Sequence, residues 1–103
     1  MIVLKEGVDV RHAHYKMWEA AYEIEPIYRS LGADLVITAG LDGKHKTGSL
    51  HYVGCAFDIR TRNISDASNA YIMIKEKLSD AYDVVLHSTH IHIEYQPKTP
   101  EDL

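Results

Sequence analysis

Near its C-terminus the chain reads His90-Ile91-His92-Ile93-Glu94-Tyr95, polar and apolar side chains in strict alternation. A period of two is that of a β-strand with its two faces in different surroundings. His90, His92 and Glu94 therefore share one face, and Ile91, Ile93 and Tyr95 the other. A second polar cluster on an apolar background lies upstream, Ser49-Leu50-His51-Tyr52-Val53-Gly54-Cys55-Ala56-Phe57-Asp58. It sets His51 seven residues before Asp58, with a small-residue turn at Gly54 between them. Ala56-Phe57-Asp58-Ile59 reads as a short strand. One His, one Asp and a further His from a second strand are the ligand set of an open zinc site, with water in the fourth position.

Working outward, Tyr82 to His87 reads as the strand before Thr89–Tyr95, the two joined by a tight reversal near Ser88. Ser65 is expected to cap a helix from Asp66 to about Ser79, with Ala67, Ala70, Tyr71, Ile74 and Leu78 on its apolar face. A strand from Gly54 or Cys55 to Arg60 buries Phe57 and Ile59 and turns Ala56, Asp58 and Arg60 the other way. Asp34 to Ala39 is a β-branched run that reads as a central strand. Gly40 to Gly48 is a polar, glycine-rich loop. Asp9 is expected to cap a helix through Leu31, closed by Gly32, with a kink or a junction of two helices before Pro26. Trp18, Tyr15 and Tyr22 read as a packing stripe on that helix, and His12 and His14 as solvent-facing. Met1 to Gly7 is a short apolar run for an edge strand or arm, and Pro97 and Pro100 begin a loose acidic tail. The expectation is one α+β domain over residues 1–103: a small, mainly antiparallel sheet with helices on one face and the metal on the other.

Composition narrows the function classes. At 103 residues and 46% hydrophobic content the chain supports one modest core. A net charge of −4, with no basic cluster beyond Lys44-His45-Lys46, argues against nucleic acid as a partner. The single cysteine, Cys55, excludes an internal disulfide, and strand alternation turns it away from Asp58 into the core. No run approaches the ~20 apolar residues of a membrane helix, so no membrane role is expected. Met1-Ile2-Val3-Leu4-Lys5-Glu6-Gly7 lacks the features of a signal peptide, which gives the expectation of a chain that is cytoplasmic when made.

Ser49, His51, Gly54, Ala56 and Asp58 match, in order and spacing, the Ser-x-His-x-x-Gly-x-Ala-x-Asp motif of the D-alanyl-D-alanine carboxypeptidase and Hedgehog-like zinc peptidases. His90-Ile91-His92 resembles the His-x-His segment that completes the site in the carboxypeptidase branch. The resemblance spans about half of the chain, and the first forty residues fit it only loosely. It implies a Hedgehog/D,D-peptidase-like fold and one zinc ion per chain held by His51, Asp58 and His92. It further implies hydrolysis of peptidoglycan stem peptides, as a D,D-carboxypeptidase or an endopeptidase. It suggests the short versions found in bacteriophages and prophages, which lyse or remodel the cell wall, acting there after phage-assisted release. A virion component that keeps the metal as structure, or a wall-binding module, is the alternative.

Two imidazoles and one carboxylate leave a single positive charge on zinc, enough to polarise a peptide carbonyl and activate water. Glu94 shares a face with His92 and is the candidate to orient it from behind. The endopeptidase and dipeptidase branches carry an Asp or Glu general base three residues before the last ligand. Here that position is Thr89, which cannot serve, and if His90 were the ligand the position would hold His87. The closer resemblance is to the carboxypeptidase branch with His92 as ligand. It implies that His90 contacts the attacking water or the tetrahedral oxyanion, roles that suit an imidazole. The family's arginine after the central strand is also missing, since Gly40-Leu41-Asp42-Gly43-Lys44 stands there. Ser49, Lys44 and Arg60 are the candidate substrate-binding residues, with His45 and Lys46 as further cations of the same loop.

Overall fold

The computed structural model describes residues 1–40 and 54–96. In chain order these form β1 (Ile2–Leu4), α1 (Tyr15–Ser30), β2 (Leu35–Ala39), β3 (Ala56–Arg60), α2 (Ala67–Lys77), β4 (Tyr82–Leu86) and β5 (His90–Tyr95). The strands make one five-stranded sheet in the order β1-β2-β3-β5-β4. β1 and β2 run parallel, with α1 in the crossover between them, and every other pair is antiparallel. The α+β expectation holds, with β1 at an edge and β2 in the interior.

Alternation sorts the sheet into two faces. Phe57, Ile59, Ile91, Ile93 and Tyr95 are each at most 2% exposed and pack in one cluster with Leu35, Ile37 and Val84. Both helices cover this side: Met17, Ala20, Ala21, Ile24 and Tyr28 from α1 and Ile74 from α2 join the same cluster. Burial of this order, at ~25 cal/mol per Å² of apolar surface, is the main force holding the layers together. Cys55 lies in the core as a buried free thiol, pushed up in pKa by desolvation, as its place in the alternation required.

Several local expectations are corrected. Asp9 does not cap a helix: its carboxylate takes the backbone N–H and the guanidinium of Arg11, at 2.8–3.1 Å. α1 begins only at Tyr15, where Nδ1 of His14 accepts the Lys16 amide at 3.1 Å. His14 is thus a half-buried cap stacked on Tyr15, whereas His12 is exposed as expected. The reason is tertiary. Gly40 and Gly54 press against this segment, and a Cβ on either would collide with a carbonyl oxygen, that of Asp9 or of His12 respectively. The His14 amide donates to the Gly54 carbonyl at 2.8 Å, so residues 9–13 lie along the strand ends instead of coiling.

Nor does Pro26 divide the helix. α1 runs through it as one element, because the carbonyl it leaves unpaired belongs to Tyr22, which like Pro26 is exposed to water. The aromatic stripe is split: Trp18 packs edge-on against Phe57 with ring centroids 5.2 Å apart, while Tyr15 and Tyr22 are exposed. Asp66, not Ser65, caps α2, accepting the Asn69 amide at 3.0 Å. Ala56, expected on the open face, is buried as well. The proposed loop after Gly40 and the tail from Pro97 lie outside the described residues.

Candidate functional site

The open face of the sheet is built by β3 and β5. Their antiparallel register sets Asp58 opposite His92 and Arg60 opposite His90, with Ala56 opposite Glu94. Directly opposed residues have Cβ atoms ~4.5–5.5 Å apart, so an Asp and a His on one rung touch without help from a loop. On the other side of β3 the register with β2 slips by one residue between Ile37↔Ile59 and Ala39↔Asp58. Such a bulge bends the strand locally, and it lies beside Asp58. Thr38 bridges it, its hydroxyl donating to the Asp58 carbonyl at 3.3 Å.

The side chains form a hydrogen-bonded row. His92 Nδ1 is 2.9 Å from Asp58 Oδ1, and Nε2 is 2.7 Å from Glu94 Oε1. The Gln96 amide donates to the other Glu94 oxygen and, at 3.2 Å, to Asp83. Ionised carboxylates only accept, so two of them on one ring favour a proton on each nitrogen. The His92 pKa is accordingly raised, first by the Asp58 hydrogen bond, against desolvation and with help from Glu94. These side chains are 14–19% exposed, so water screens their charges only partly.

His90 stands on the same face, one step along β5. Its Nδ1 is 3.0 Å from the Thr89 hydroxyl, and its Nε2 is 3.7 Å from Asp58 Oδ2, beyond hydrogen-bond reach. His87 stacks on His90 with ring centroids 4.7 Å apart and meets His92 edge-on at 6.4 Å. Three imidazoles thus line the turn end of the β4–β5 hairpin, which the His87 amide closes onto the His90 carbonyl at 2.9 Å.

Of the expected ligands, Asp58 and His92 are brought together, and Glu94 holds the far side of the His92 ring. His51, Ser49, Lys44, His45 and Lys46 lie outside the described residues. Among the described residues no three His, Cys, Asp or Glu side chains are arranged to hold a metal ion. Geometry explains this: Asp58 and Glu94 bind opposite nitrogens of one ring, which point away from each other. As donors, a carboxylate oxygen and an imidazole nitrogen facing each other across two strands suit zinc, with Glu94 accepting the remaining N–H. A metal on Nδ1 would take the place of its proton. Two donors are half of a tetrahedral set, and His51 is the expected third.

Gln96 escaped the sequence analysis as a site residue, although it continues the 90-92-94 alternation by one step; His87 entered there only as the helper imidazole should His90 be the ligand. Arg60 lines a cleft beside His90 together with Lys5 and Arg62, neither of which any local pattern singles out. Among the described residues, no helix is long and apolar enough to cross a membrane. No protein-family model matches the chain, and no curated protein matches it.

Proposed function

We propose that the chain is a zinc-dependent peptidase that hydrolyses peptidoglycan stem peptides, with His51, Asp58 and His92 as metal ligands. The observation that carries the reading is the Asp58–His92 contact at 2.9 Å on one rung of β3 and β5, backed by Glu94 at 2.7 Å on the other ring nitrogen. The motif spacing that led to these residues is independent of that contact. When bound, zinc supplies Lewis-acid polarisation of the scissile carbonyl and lowers the pKa of water.

The chain's own residues do the rest. Glu94 fixes the His92 ring by accepting its Nε2 proton, and Gln96 fixes Glu94. Asp58 stands on a strand whose other side, Phe57 and Ile59, is buried, and its carboxylate meets His92 Nδ1 at 2.9 Å. His90 is the group to take and return a proton at Nε2. The Thr89 hydroxyl beside Nδ1 can donate or accept, so His90 keeps that partner in either tautomer. Thr89 thereby has a use in the position where an acidic base is expected.

Thr89 also favours a second reading. With no carboxylate there, the chain would be a catalytically weak, metal-stabilised structural or wall-binding protein of a phage particle. One experiment separates the two: purified peptidoglycan incubated with the protein, with and without chelator, assayed for released D-alanine and new amino groups, alongside metal analysis. Chelator-sensitive release supports the peptidase. One bound zinc without release supports the structural reading, and no bound metal overturns both.

A further inference from the structure

The two edges of the sheet are unlike. β1 is three residues long and gives way at once to Lys5, Glu6 and Gly7. β4 is five, Tyr82-Asp83-Val84-Val85-Leu86, in unbroken register with β5 and free of proline, glycine, lysine and bulges. Those are the usual devices that stop an edge strand from pairing further. β4 ends the sheet on its side, and Val85 in its middle is 42% exposed. An apolar, β-branched residue at the centre of an unprotected edge marks a strand suited to take a partner.

The ladder shows which main-chain groups are open. His87 donates to the His90 carbonyl and Gln96 to that of Ala81, so in this register the odd-numbered residues of β4 bond to β5. The amides and carbonyls of Val84 and Leu86 therefore point out from the sheet edge, and no main-chain partner meets them among the described residues. Side chains follow the same alternation. Val84 lies on the core side opposite Ile93, and Leu86 opposite Ile91, whereas Asp83, Val85 and His87 share the face of His92 and Glu94. A cleft of about 380 Å³ opens beside Val84, lined also by Leu78 and Tyr82 and by Lys75, Ser79 and Asp80 from the end of α2 and the turn after it.

We propose that β4 pairs with the β4 of a second copy of this chain, antiparallel about a two-fold axis through the Val85 pair, joining two sheets into one. The register follows from charge and polarity. An axis at Asp83 sets two carboxylates face to face, and like charges directly opposite repel. An axis at Val84 sets each Asp83 against an apolar Val85, and axes nearer the ends run the ladder off the strand. At Val85 every rung is matched. Val85 meets the partner's Val85, and Asp83 meets the partner's His87, whose imidazole donates to a carboxylate in either charge state. Val84 and Leu86 exchange both main-chain bonds with the partner's Leu86 and Val84, which sets the partner's Leu86 toward the cleft beside Val84. The partner's Asp83 thereby reaches the imidazole that stacks on His90, and both polar rows face the same way. The inference is independent of metal and of hydrolysis.

The test reads association alone, on the full chain. Sedimentation equilibrium from micromolar to millimolar concentration should show a reversible monomer–dimer equilibrium, since so short a ladder buries less than a permanent interface does. Val85→Lys, which sets two ammonium groups on the axis, should weaken the dimer by about tenfold or more and leave the melt of the dilute monomer unchanged. Asp83→Lys should weaken it too, and Asp83→Lys/His87→Asp should recover it by exchanging the charges. Under mild oxidation with diamide, Val85→Cys should form a disulfide-linked dimer and Asp83→Cys should not, because unbonded antiparallel pairs bring Cα atoms within ~4.5 Å. The native Cys55 is buried and stays out of that reaction. A chain monomeric throughout the range overturns the proposal, as does a dimer indifferent to Val85→Lys. Linkage of Asp83→Cys as readily as Val85→Cys also overturns it, by moving the axis. Should Val85→Lys fail its melt, the two cysteine variants decide alone.

Discussion

β3 and β5 present two faces made from the same eleven residues. On one, Phe57, Ile59, Ile91, Ile93 and Tyr95 are sealed under two helices; on the other, Asp58, Arg60, His90, His92 and Glu94 meet as a polar row. The faces alternate residue by residue, so neighbours in sequence have unlike work. The inner face holds the strands still, and the outer face uses that stillness to keep a carboxylate and an imidazole 2.9 Å apart. Precision at the site is therefore a product of packing behind it, and substitutions should separate cleanly by parity.

The largest effects belong to the outer face. His92→Ala should lose bound metal and hydrolysis together, whereas His90→Ala should keep the metal and lose roughly 10²–10⁴-fold in turnover. Metal content and stem-peptide turnover measured on both variants decide this. Metal lost from His90→Ala but kept by His92→Ala would show the ligands to be exchanged, with His87 as the helper.

On the inner face, Ile93→Ala should cost ~2–5 kcal/mol in denaturant unfolding, since Ile93 is 1% exposed in the middle of the core. Val85, which opposes His92 on β4 and is 42% exposed, gives the control. Val85→Ala should stay within about 0.5 kcal/mol. Similar losses at both positions would break the division of the two faces.

A smaller effect is expected for Glu94→Gln, which keeps the shape but weakens the hold on His92 Nε2. Metal affinity should fall by about 10–100-fold, with the fold intact, as measured by competition with a chelator of known affinity. Unchanged affinity would remove Glu94 from the site.

The smallest effect tests the inner face through pH. Burial pushes the Tyr82 hydroxyl up to about 12, and it donates to the Lys16 carbonyl at 2.6 Å. A pKa raised in the folded state means that unfolding favours ionisation. The stabilisation is complete below about pH 10, the ordinary tyrosine value, and is lost as pH rises through 10 to about 12. Tyr28, also raised by burial, adds to the same decline. Denaturation midpoints at pH 9 and 11 should drop less in Tyr82→Phe than in the wild type, and equal drops would rule out Tyr82 as a contributor.

Much of this was legible because its cause is local. The alternation of 90–95 sets the faces of β5 whatever it pairs with, and the apolar spacing of Met17, Ala20, Ala21, Ile24 and Tyr28 sets the buried side of α1. Asp58 and His92 were singled out by strand alternation and by a motif resemblance, and the register sets them on one rung. Other features depend on what is far away in sequence. Asp9 has the chemistry of a helix cap, yet Gly40 and Gly54 pack against its segment and move the helix start to Tyr15. Pro26 carries a helix-breaking signal, but the solvent beside Tyr22 and Pro26 makes the lost hydrogen bond inexpensive. Lys5 and Arg62, which line a cleft with Arg60 and His90, carry no pattern, because a cleft gathers side chains by topology and not by period. Period is a property of the chain, and convergence is a property of the fold.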